Sequence, residues 1–95
     1  MAKLTSFSIA GLELFFISLD HMPPHFHIKK LGEWEIRVFF LECTKDHLSF
    51  EVKWPPKFHK LPGRIEKILL QLVLQHRVAI LEEWENKVGK SRGSK

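Results

Sequence analysis

The sequence predicts an α+β fold: a small, curved antiparallel sheet of four or five strands covered by a long C-terminal helix. Three observations predict it. Apolar and polar residues alternate with period two in residues 33–40 and again in 48–54. Beyond Pro62-Gly63 the period lengthens to 3.6 and holds to Val88. The chain has 95 residues, too few for a second core, so all elements must share one centre. We expect one domain over residues 1–89 and a flexible basic tail over 90–95.

In chain order, Phe7 to Ile17 is apolar and β-prone. Ala10-Gly11 in its middle offers a tight turn, so a short hairpin is the simplest reading. Met22-Pro23-Pro24 then forbids helix and holds the chain extended, because each proline fixes its own φ and restricts the residue before it. Phe26 to Lys30 and Glu33 to Phe40 form a hairpin about Leu31-Gly32. Trp34, Ile36, Val38 and Phe40 face inward; Glu33, Glu35 and Arg37 face outward. Leu48, Phe50, Val52 and Trp54 repeat the alternation until Pro55-Pro56 ends it.

The helix starts near Pro62 and stops before Gly89. At 100° per residue, Ile65, Ile68, Leu69, Leu72, Val73, Ala79, Ile80 and Trp84 share the side that covers the sheet. Leu70, Leu74, Val78 and Leu81 form a second stripe facing largely away. One straight helix on a small sheet cannot bury both stripes. Either the helix breaks near Gln75-His76, or the second stripe meets a partner, whether a second copy or another protein; the partner is the expectation.

Net charge is +4, but its distribution weakens any nucleic-acid reading. All 11 acidic residues and 11 of the 15 lysines and arginines precede Lys87, which leaves a neutral body. With a single cysteine, Cys43, neither an internal disulfide nor a cysteine-rich zinc site can form, and a reducing cytosol is the expected home. No apolar run approaches a membrane span, so no membrane association is expected.

The most distinctive chemistry lies in D-H-M-P-P-H-F-H, Asp20 to His27. Residues two apart on a strand point the same way, which places His25 and His27 on one face and Phe26 and Ile28 on the other. His21 is set near them by the prolines, and Asp20 is placed to orient an imidazole. Such a group can run general acid–base chemistry, cleavage of RNA through its 2′-hydroxyl being a suitable reaction that needs no cofactor. It can also ligate a metal through neutral imidazoles, although no metal is the expectation. The plain structural alternative is that Asp20 and the histidines satisfy backbone groups, with His25 and His27 on a solvent face. A second candidate is K-W-P-P-K-F-H-K, where Lys53, Lys57 and Lys60 alternate with Trp54 and Phe58 in a pattern suited to phosphate contact and base stacking. Its structural alternative is a strand end entering a helix through a proline-rich loop, with the aromatics buried.

The segments F-F-I-S-L-D-H-M-P-P-H-F-H-I, G-E-W-E-I-R-V and L-E-E-W-E-N resemble the bacterial domain-of-unknown-function 4160 family, and the likeness covers most of the chain. The resemblance implies a small prokaryotic cytoplasmic protein, often encoded beside a second small protein in a toxin–antitoxin-like arrangement. The family's signature positions fall on Asp20, His21, Pro23, Pro24, His25 and His27. The chain departs from the family pattern between Leu48 and Pro62. Two functions are therefore expected: a toxin-like component acting on RNA, with His25 and His27 as acid–base pair and Lys53, Lys57 and Lys60 on phosphates, or a non-catalytic, antitoxin-like regulator whose rigid turn shapes a binding surface.

Overall fold

The computed structural model describes residues 2–17, 21–58 and 60–89. Five strands form one antiparallel sheet in sequence order: β1 (Ala2–Lys3), β2 (Glu13–Phe16), β3 (Phe26–Lys30), β4 (Trp34–Val38) and β5 (Phe50–Trp54). Helix α1 (Gly63–Trp84) follows and runs on into a π-helical turn at Glu85–Gly89. The α+β architecture expected from the change of period is present, with an open sheet whose edges are β1 and β5.

Alternation along the strands divides the sheet into two faces. Leu14 opposes Ile28, and Ile28 opposes Ile36. These residues, with Phe16, Phe26 and Val38, are buried in a cluster that also holds Leu69, Val73, Ile80 and Trp84 of α1. The helix therefore covers this face, and the apolar area it removes from water is the main drive for the fold.

The first hairpin differs from expectation. The partner of β2 is Ala2–Lys3 rather than Phe7 to Ile9, although the turn does fall at Ala10-Gly11, with Gly11 at φ 84°. The chain leaves this ladder after Leu4, where a residue near the far end of the chain takes up its next amides. The Glu83 carboxylate accepts hydrogen bonds from the Thr5 and Ser6 backbone N–H groups at 2.8 and 2.6 Å, and from the Ser6 hydroxyl. Amides so engaged are not available to a ladder. Phe7 instead turns onto the core, edge-on to Phe26 with centroids 6.1 Å apart and 5.6 Å from His76.

β3 spans its expected limits, β4 lies inside its expected limits at both ends, and β5 begins later than expected and ends where expected. Phe40 leaves β4 to start a 3-10 turn, Phe40–Glu42, and Leu48 is buried ahead of β5. Gly32 has φ 78° at the β3–β4 turn, where a β-carbon would strain the backbone.

Helix α1 is not straight. His76 departs from helical geometry at φ −111° and ψ 16°. Next to it, Arg77 Nη2 donates to the Cys43 carbonyl at 2.6 Å, fixing the middle of the helix to the segment after β4. The break realises the alternative that had been placed second. Its two halves can present different stripes to one core, and Leu70, Leu74 and Leu81 are half-buried against that core. Only Val78 of the second stripe is strongly exposed, at 74%. Among the described residues no helix is long and apolar enough to cross a membrane. Lys87, near the end of the domain, bonds Glu83 and the Lys3 carbonyl. Residues 90–95 lie outside the described residues.

Candidate functional site

The second face of the sheet carries most of the polar residues, and the strand registers align four of them with Phe15 in one row. Lys3 opposes Phe15, Phe15 opposes His27, His27 opposes Arg37 and Arg37 opposes Glu51. A neighbouring row runs Glu13, Lys29, Glu35. His27 thus sits on the middle strand at the centre of the row, and its neighbours in the row decide its environment.

His27 is buried to 0% exposure although α1 does not cover this face. Phe15 supplies one wall: the two rings are stacked 10° from parallel with centroids 5.2 Å apart. On another side the His27 Nδ1 lies 3.4 Å from Glu35 Oε2. Glu35, only 7% exposed, also receives Lys53 Nζ at 3.3 Å. Arg37 is tied across β5 to Glu51 at 2.7 Å. Glu35 does face outward as expected, but it is buried there rather than solvated, since the side chains crowding His27 shield the carboxylate as well.

His25 lies just ahead of β3 and is 6% exposed. Its ring is 5.2 Å from His27, 5.5 Å from Phe39 and 5.6 Å from Trp84. A carbonyl can only accept, so the 2.8 Å contact to Pro23 O means that His25 Nδ1 carries the proton and donates. The Met22-Pro23 peptide is cis. The two histidines are brought together, but the solvent-face alternative for them is overturned: His25 Nε2 and His27 Nδ1 are both buried atoms.

Beside them, His21, Met22, Pro23, His25, Arg37, Phe39 and Glu51 line an open cleft of about 350 Å³. His21 is exposed at its rim, and Asp20 lies outside the described residues. No group of three His, Cys, Asp or Glu is arranged to hold a metal ion among the described residues.

The basic aromatic segment is drawn into the fold. Lys53 is engaged by Glu35, Trp54 is half-buried, and Phe58 stacks on Trp34 at 5.3 Å and 13°. Lys57 and Lys60 are exposed, and Lys60 shares a cleft with Lys30, Trp34 and Phe58. His59 lies outside the described residues. The structure thus separates Lys53 on the polar face from Lys60 beside the Trp34–Phe58 stack, rather than presenting one continuous cationic strip.

Phe15, Glu35, Arg37 and Glu51 were missed as members of the histidine site. One signal was present: Leu14-Phe15-Phe16 is apolar on consecutive residues, so both faces of β2 needed apolar cover.

Neither models of protein families, nor curated proteins, nor solved structures give a match to the chain. The likeness to the domain-of-unknown-function family rests on residues 15–28, 32–38 and 81–86.

Proposed function

We propose that this protein is a non-catalytic, antitoxin-like binding component of a bacterial two-protein module, in which the histidine cluster is a rigid support rather than a reactive centre. The observation that carries this reading is the burial of the cluster. A general acid or base must come within hydrogen-bond reach of the proton it moves. His25 points its protonated nitrogen at Pro23 O and buries the other, while His27 lies between Phe15, Arg37 and Glu35. The neighbouring protein is what the family resemblance implies.

The competing reading keeps the histidines as catalysts of RNA cleavage in a toxin-like component. It requires the cleft to open until an imidazole nitrogen reaches substrate. Expression of the wild type without any neighbouring gene separates the two, with growth and RNA integrity as readouts. The binding component leaves growth and RNA unchanged. Growth arrest with RNA loss, abolished by a His25→Gln/His27→Gln variant shown to be folded, would establish the catalytic reading instead.

A further inference from the structure

We propose that the outer edge of β5 is a self-pairing surface, at which two copies of this chain join β5 to β5 in antiparallel register about Val52. β5 ends the sheet, so among the described residues one side of its backbone has no strand beside it. Phe39 N–H donates to the Ser49 carbonyl at 3.0 Å, and Phe39 and Ser49 continue the register in which Arg37 meets Glu51. Antiparallel ladders alternate bonded and non-bonded pairs, so Glu51 turns its backbone groups to β4 while Phe50 and Val52 turn theirs to the open side. Among the described residues, no loop or side-chain hydrogen bond reaches those outward groups. The register shift between Glu35 and Ile36 makes Lys53 the extra residue of a bulge, so β5 is regularly paired with β4 from Phe50 to Val52 and turns at Lys53.

The occupant is read from the strand itself. In F-E-V-K-W an acid and a base flank the central valine, so the strand is charge-complementary to its own reverse. Antiparallel pairing about Val52 sets Glu51 opposite Lys53 of the second copy and Lys53 opposite its Glu51. Charges on an edge strand ordinarily repel an incoming strand, whereas here both charged positions meet their opposites. Each is held upright within its own chain, Glu51 by Arg37 at 2.7 Å and Lys53 by Glu35 at 3.3 Å. Joining the copies therefore extends an alternating series of Arg37, Glu51, Lys53 and Glu35 across the junction. Phe50 and Val52 are half-buried against their own core, and the part of their apolar area left outside is what the second copy covers. Pro55 follows at once and, lacking an N–H, marks where pairing stops.

The test is the mass of the full chain in solution at about 100 μM, a concentration that populates complexes of micromolar affinity. The wild type should have twice the monomer mass of 11.2 kDa. Lys53→Glu places acids opposite acids, and Glu51→Lys places bases opposite bases. Each variant, folded by circular dichroism, should dissociate at concentrations roughly tenfold higher or more. Mixed in equal amounts, the two variants regain complementary pairs and should form a heterodimer. A monomeric wild type, folded single variants as dimeric as wild type, or a mixture that stays monomeric would each overturn the proposal. Amide exchange in the wild type covers the case of variants that fail to fold: Phe50 and Val52 should become more protected as concentration rises, and protection independent of concentration would overturn it equally. A second copy on this edge is independent of whether the protein is catalytic, so failure here leaves the proposed function untouched.

Discussion

The imidazole of His27 lies flat against the Phe15 ring, 5.2 Å between centroids, at the centre of a sheet face that the helix does not cover. That relationship makes the histidine part of a second, smaller core. His27→Ala should therefore cost about 2–4 kcal/mol, the range for deleting a large buried side chain, because it removes the stack and leaves Glu35 less shielded. Urea denaturation checks this. A loss below about 0.5 kcal/mol would mean that the ring contributes no packing.

Glu83 sets the acid limit of stability. Burial works against its ionisation, but hydrogen bonds from Lys87, Ser6 and Thr5 outweigh it and hold the pKa at about 2, below the ordinary 4.5. A depressed folded pKa means that the stabilisation is fully present above pH 4.5 and is lost as pH falls from there toward about 2. The side chain is 12% exposed, and water screens part of the effect, so about 1–2 kcal/mol is expected. Glu83→Gln should lower stability at neutral pH by that amount and flatten the pH dependence over this window; an unchanged slope would refute the assignment.

Cys43 should be chemically quiet. Burial pushes its thiol pKa up, more than Ser49 N–H and the charge of Arg77 bring it down. Reactivity follows the thiolate, so a thiol reagent at about pH 8 should label the folded protein far more slowly than the urea-unfolded chain. Equal rates would show that the segment around Cys43 opens readily.

The kink at His76 separates two members of one apolar stripe. Leu74 is half-buried against the core, so Leu74→Ser should cost about 1–2 kcal/mol. Val78 is exposed, and Val78→Ser should change stability by less than about 0.5 kcal/mol. Thermal melts of both variants test this. Equal large losses would mean that the stripe is covered by something other than its own core.

The sheet and helix were legible because β4, β5 and α1 each carry one clean period over several residues. β1 was not, since Ala2–Lys3 is too short to show alternation and its place is secured by Glu83, more than 70 residues away. The pairing of His25 with His27 was legible from their spacing of two. Their burial was not, because it depends on Phe15, Arg37 and Glu35 arriving from neighbouring strands, and registers between strands leave no mark in a local pattern.

The Glu83 clamp on Thr5 and Ser6 has a kinetic consequence. It joins residues 77 and 78 positions apart, among the highest sequence separations in the molecule, whereas β2 to β5 meet through successive hairpins. Closing so long a loop early is entropically costly, which places the clamp after the transition state for folding. Glu83→Gln should then speed unfolding while leaving the refolding rate nearly constant, and the two arms of a chevron plot measure this directly. The segments around Thr5 and Glu83 are thus expected to meet late in folding and to act as a kinetic lock on the native state.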